Sequence, residues 1–481
     1  MRGAWLWLLA PVALAQEPVR VIFLEPVSTI NTSVAEIAEK NPVYRRVADS
    51  SRFRPWLNNE SAARAFRLYR DACDIAHPDG GVADYYVALV KGGNHASVGF
   101  RLDSGEEHLD QPYILLHPEQ SSFETTLLHE TGHMAMETLA GGRQLEGQAM
   151  AAIPHSTAAL TDRNTAFSEG YAIHLETLQA HLGGDLYTRQ RFHRGMVVFG
   201  DAPFQAAEYF HHSADLASYA QNVARYGEVR ENNFSFEGAF QGPDYLRVQL
   251  EKARDFATVR DANQLLQAEG YYASFFFLFV MRGSTAPDES TIETREREVL
   301  RAMHAAFTAN PKLEAGPWLL RVVAEYTKLF REEKAAIIDA LNDTSHGVFV
   351  DPAAAALWRE HYLAALRLDR AKMNLDGLVA VRKRWREQTM GDAAVLFSRV
   401  GPEIGCELPT AKVRIAAFGG EEPVHFDINT VQRGIMRMIP GITEPEIESW
   451  IAARNTKAFA SREDFQARAG LTSATLKGLK L

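Results

Sequence analysis

Apolar residues recur at helical spacing along most of the chain. Between Ser61 and Ala76 they fall at Ala65, Leu68, Ala72 and Ile75, which predicts an amphipathic helix. Glu293–Ala309, Pro317–Leu341 and Pro352–Arg386 carry the same period with charged outer faces. Phe275–Val280 is apolar on every side and reads as part of a buried helix. Strand-like patterning is rarer. His95–Leu102 alternates around Ala96, Val98 and Phe100, Tyr113–Leu116 is a short apolar run, and Lys412–Phe418 is β-like. The pattern predicts an α+β chain, mostly helical, with a small edge-stranded sheet and no 20–50-residue repeat of the kind that builds solenoids.

One helix carries candidate chemistry. Ser121-Ser122-Phe123-Glu124 has the form of a capping box, and Gly141-Gly142 is a natural stop. Between them lies His129-Glu130-Thr131-Gly132-His133. At i and i+4 the two imidazoles share one helix face, a turn apart, and both can reach one metal ion. Glu130 can then contact a water held by that metal without ligating it. Leu127, Leu128, Met134 and Met136 imply a buried helix, where polar side chains without partners cost stability. Neutral imidazoles with a carboxylate suit tetrahedral Zn2+.

A catalytic zinc usually takes three protein ligands, so a third must come from elsewhere. The metzincin continuation HExxHxxGxxH is excluded, because Met136 and Leu139 stand at its Gly and third His. Glu169, His174 and Glu269 are the candidates. Phe167-Ser168-Glu169-Gly170-Tyr171-Ala172-Ile173-His174-Leu175-Glu176 resembles the NEGxxxxLE helix of gluzincins in the aminopeptidase-N family. The resemblance spans His129 to Glu176 and implies a zincin-type catalytic domain. It makes Glu169 the third ligand and Glu176 the carboxylate that supports a zinc-bound His. Ser168 replaces the family's Asn. The GxMEN motif that binds a substrate's free amino end is missing, which favours an endopeptidase. Zincins lay an edge strand beside the active helix to pair with extended substrate, a part open here to His95–Leu102 or Tyr113–Leu116. Tyr226, Tyr271 and Tyr272 are candidate oxyanion donors, and His211-His212 is an exposed-looking pair.

The pattern changes near Gly401-Pro402, which breaks the helical run, and Gly419-Gly420-Glu421-Glu422-Pro423 reads as a hinge. We expect a signal peptide over 1–15, a catalytic region over 16–400, a β-like linker over 401–424 and a small all-α module over 425–481. Ile439-Pro440-Gly441-Ile442-Thr443 and Gly470-Leu471, each leading into a helix, resemble the tandem helix-hairpin-helix domain of competence DNA receptors and type II secretion minor pseudopilins. That likeness implies binding of a DNA backbone or of a protein. Gly441 and Gly470 match the hairpin glycines, whereas Thr443 stands where a second Gly is usual.

Composition narrows the partners. The chain of 481 residues carries a net charge of −10, which argues against coating nucleic acid by bulk charge. The C-terminal module has 8 Lys and Arg against 6 Asp and Glu, a balance of +2, so a protein partner is preferred to DNA. Arg2, the apolar run Ala4–Val12 and Ala13-Leu14-Ala15 before Gln16 have the order of a secretory signal peptide. No apolar run reaches the ~18–20 residues that span a bilayer, so a secreted or periplasmic protein without a stable membrane anchor is expected. Cys73 and Cys406 could pair in such a compartment. Together these point to an exported zinc metallopeptidase acting on peptides or proteins, with Glu130 as general base. The alternatives are a non-enzymatic assembly or DNA-uptake protein with a relic zincin fold, and a zinc hydrolase of a non-peptide bond.

Overall fold

The computed structural model describes residues 19–27, 42–91, 94–145, 161–182, 261–281, 288–314, 316–345, 347–351, 357, 375–415, 420–431, 436–437 and 439–481. The signal-peptide segment, His211, His212, Tyr226 and nearly all of 352–374 lie outside them. The described chain is α+β and mostly helical, with a small mixed sheet.

Five strands form that sheet: β1 (Val19–Pro26), β2 (Val43–Arg46), β3 (Ala83–Leu89), β4 (His95–Leu102) and β5 (Glu107–Leu116). Their order is β1-β2-β4-β5-β3, and β3 pairs back to β1 to close the ring. β1–β3 and β3–β5 are parallel, and β4–β5 is antiparallel. The ring closes only briefly at β2, which reaches β4 through Val43 and Tyr44 against Arg101 and Leu102. Tyr113–Leu116 therefore cannot be the expected edge, because β4 and β3 flank it on both sides. The His95–Val98 half of β4 does keep a free side among the described residues.

The strands alternate side chains between two apolar layers. Leu24, Tyr44, Tyr86, Phe100 and Tyr113 fill one face. Phe23, Tyr85, Val87 and Ile114 join the main core with helices α1 (Glu60–Ala76) and α2 (Leu127–Leu139). α1 is capped by Asn59, whose side chain accepts the Ala62 N–H, and it buries Ala65, Leu68 and Ala72 as its period requires. α2 starts differently from expectation. Ser121 already has helical dihedrals and makes no side-chain cap, and Ser122–Thr126 forms a π-helical turn that leads into α2. A capping box needs an extended N-cap residue, which Ser121 is not. Gly141 and Gly142 end the helix at φ of +73° and +72°.

The remaining helices build the rest of the main core: α3 (Arg163–Leu182), a short α4 (Ala262–Leu265), α5 (Glu269–Met281), α6 (Glu289–Ala309), α7 (Trp318–Leu329), α8 (Lys334–Ser345) and α9 (Leu375–Gly391). The single helix expected over Pro317–Leu341 is broken between Leu329 and Lys334. The break lets α7 pack on α6 while α8 packs on α5, which one straight helix could not do. Cys73 packs against this main core, whereas Cys406 is buried in a separate one, and both are free thiols.

That second core corrects the C-terminal reading. β6 (Gly405–Ile415) and β7 (Gly420–Asp427) form an antiparallel hairpin. Lys412 pairs with Pro423 and Ile415 with Gly420, so the described part of the expected hinge is paired strand. Cys406, Leu408 and Phe426 of the hairpin share a core with Ile447, Trp450, Phe459 and Phe465 from α10 (Glu444–Thr456), α11 (Arg462–Arg468) and the turns between them. The module is thus not all-α, and its strands come from the segment expected to be linker. Glu407 and Lys480 exchange two backbone hydrogen bonds of 2.9 Å, fastening the C-terminus to β6 beyond α12 (Ser473–Lys477).

One carboxylate ties the two helical hairpins together. Glu446 Oε2 accepts the Thr443 N–H at 2.9 Å and the Thr443 hydroxyl at 2.8 Å. Its Oε1 accepts the Thr472 N–H and the Thr475 hydroxyl, both at 2.8 Å. The Thr472 N–H is the main cause that lowers the Glu446 pKa to about 2, from an ordinary 4.5. A depressed carboxyl pKa gives stability that is complete above the unfolded value and lost as pH falls through the folded one. Glu446→Gln should cost about 2 kcal/mol at neutral pH, read from faster hydrogen exchange across the module. That difference should shrink between pH 4.5 and about 2. Equal exchange at pH 7 would contradict this role.

Candidate metal centre

α2 and α3 cross closely because Gly132 has no side chain. A Cβ there would sit 2.8 Å from Leu175 Cδ1 and 3.2 Å from Ala172 Cα. α3 in turn lies tight on α5, where a Cβ on Gly170 would meet Tyr272 Cβ at 2.4 Å and the Glu269 carbonyl oxygen at 2.6 Å. These contacts bring Glu169 opposite His129 and His133. His129 Nε2 lies 3.2 Å from His133 Nε2 and 3.3 Å from Glu169 Oε2. Glu169 Oε1 lies 3.6 Å from His133 Nε2. The three donors fall within 4.8 Å of one another, a spacing a single ion could bridge.

Each ring's outer nitrogen also has a polar neighbour. His133 Nδ1 lies 2.8 Å from Ser168 Oγ, and His129 Nδ1 lies 3.1 Å from Glu176 Oε1. Each Nε2 is thereby left facing the other ligands, which is what a metal-binding imidazole needs from its neighbours. Ser168 stands in sequence only as a substitute for Asn, and folding gives it this orienting contact. Convergent Nε2, Nε2 and carboxylate donors with fixed outer nitrogens fit Zn2+.

Three carboxyls and two imidazoles share this poorly solvated corner. Burial opposes a charged His129, but Glu176, Glu169 and Glu130 outweigh it and hold its pKa well above the usual value. Burial would raise the Glu169 pKa, yet His133 and His129 pull it well below. Glu130 is buried beside the cluster, and its pKa is raised mainly by that burial. His95 opens β4 on the same cavity. His95 is exposed as a residue, but the crowding around its ring and His133 lower its pKa to about 4, which Glu169 partly offsets.

The other candidates lie elsewhere. His174 is fully buried and contacts Glu296 Oε1 at 2.6 Å. Glu269 starts α5 on the far side of Gly170 and does not join the cluster. The Tyr272 hydroxyl donates to the Leu266 carbonyl at 2.9 Å, and buried Tyr271 is set against Thr344 and Ser345. Neither tyrosine faces the cluster as an oxyanion donor. In the C-terminal module Gly441 and Gly470 do adopt hairpin φ values of +79° and +72°. The Thr443 and Thr472 amides that follow them both donate to Glu446.

No protein-family model matches this chain, and no curated protein or solved structure matches it. Function is therefore read from the side chains themselves.

The site predicts one bound Zn2+ per chain, lost in His133→Ala and in Glu169→Ala. Ser168→Ala and Glu176→Gln should each retain zinc with affinity weakened about 10-fold or more, measured by competition with a chelator. Binding should release protons and weaken toward acid pH, because the raised His129 pKa leaves a proton for the metal to displace. Unchanged stoichiometry in His133→Ala would refute the assignment.

Proposed function

We propose that this protein is an exported zinc-dependent metallopeptidase of the gluzincin type, with a zincin-type catalytic domain and endopeptidase activity. The supporting observation is the convergence of His129, His133 and Glu169 with Glu130 buried beside them. Zinc held by these three residues would supply a Lewis acid for the scissile carbonyl and make water acidic enough to ionise near neutral pH. Glu130 would receive the proton of the attacking water on its carboxylate and deliver it to the leaving amine. Its raised pKa brings it nearer the working pH of a general base. Ser168 and Glu176 would hold the ligand rings in orientation. The unpaired side of β4 at His95–Val98 would offer backbone groups to an extended peptide.

A purely structural metal site needs its ligands but not a buried Glu130, which weighs against a relic fold. Occupied hairpin amides weigh against DNA uptake through the C-terminal module. That module is instead a docked part of the protein. Gln267 Nε2 donates to Asp427 Oδ2 at 3.0 Å and to Glu403 Oε1 at 3.2 Å, while the Gln267 carbonyl accepts the Thr161 N–H just before α3.

Glu130→Gln should keep its zinc and melting temperature but lose peptide hydrolysis by at least about 100-fold. New chain termini generated from a protein extract, counted by mass spectrometry, provide the readout. Equal cleavage by both proteins at matched zinc content would remove Glu130 from the mechanism.

A further inference from the structure

Beside the metal cluster lies a cavity of about 200 Å³ whose wall includes an acid that the reaction above does not use. Glu137 follows His133 by one turn of α2, so both project from the same face. It is 7% exposed. Its Oε1 accepts the Gln144 Nε2–H at 2.9 Å, whereas its Oε2 is sealed from solvent and has no hydrogen-bond partner among the described residues. None of the other described polar groups that line the cavity, His95 included, supplies one. His133 and Glu169 face each other across the metal position, and Ser168 contacts His133 Nδ1. The Thr165 hydroxyl donates to Asp162 at 2.6 Å.

Ala96, Met136 and Leu145 give the same cavity apolar wall, suited to a methylene stem. It opens beside the free half of β4, where the proposed function lays the peptide. We propose that Glu137 is the acceptor of a specificity subsite that takes a cationic nitrogen of the substrate, an ammonium or guanidinium, next to the scissile bond. This rests on the peptidase reading for the word substrate, but not for the binding itself. The cation can come from a Lys or Arg side chain or from a free amino end. Burial raises the Glu137 pKa to about 8, with Gln144 opposing and Glu130 adding to the rise. A cation that displaces the carboxyl proton and draws Oε2 from its sealed position toward the cavity would provide the missing donor.

The test uses zinc-loaded full-length Glu130→Gln protein, so that binding is read without turnover. Calorimetry compares N-acetyl-lysinamide, N-acetyl-norleucinamide and leucinamide with its free amino end. At least one cationic probe should bind about ten-fold or more tighter than the neutral norleucine probe, and that advantage should vanish when Glu137→Gln is added. An advantage of the lysine probe assigns the site to a basic side chain, and one confined to leucinamide assigns it to an amino terminus. No cationic advantage, or one that survives Glu137→Gln at matched melting temperature and zinc content, overturns the proposal. Should Glu137→Gln fail to fold, the preference of the protein retaining Glu137 decides alone. Cleavage of N-acetylated peptides with Lys or norleucine by the unmutated enzyme is measured beside it. Cation binding without any cleavage would sink the peptidase reading and leave the subsite standing.

Discussion

The approach of α2 to α3 at Gly132 governs the site. Two histidines four residues apart can only present a pair of nitrogens, and the third donor must be carried in by another helix. Gly132 permits that approach, since any side chain there would run into Leu175 and Ala172. Gly170 presses α3 onto α5 in the same way and fixes it from behind. Overpacking a core contact of this kind costs about 1–3 kcal/mol, and here it would also move Glu169 away from the imidazoles.

The same crossing concentrates charge where water is scarce. Glu130, Glu169 and Glu176 surround two imidazoles, and burial alone would favour the neutral form of Glu130, Glu169 and His129. Ion pairing wins for Glu169, whose pKa falls, and for His129, whose pKa rises. Desolvation wins for Glu130, which makes no comparable direct contact with either ring and is left with a raised pKa. Glu169 and Glu130 thus differ because of position, although both are glutamates within one small site.

The C-terminal module follows a related logic of internal satisfaction. Glu446 places its two oxygens on the helix-starting amides of both hairpins, so these amides are satisfied from within. Asp427 receives the Ile404 and Asn429 N–H groups and meets Gln267 at the main core. Gln267 also holds the start of the α3 segment through Thr161. The module therefore rests against the turn that leads to the helix bearing Glu169.

Much of this was legible in the sequence. Helical period marked α1, α2 and α6, and the i, i+4 spacing alone put His129 and His133 on one face, because helix geometry is local. The resemblance to the NEGxxxxLE helix pointed to Glu169 and Glu176, but choosing Glu169 over Glu269 and His174 required knowing which face of α3 and α5 meets α2, and that is set by packing. Sequence misjudged Ser121, where a capping pattern yielded to a π-helical turn, and Pro317–Leu341, where two neighbouring helices needed different directions. It misread the C-terminal linker because strand pairing joins residues that periodicity treats separately. Ser168, His95 and Glu137 carried no signal of their own, since a single polar residue acquires a role only from what folding places against it.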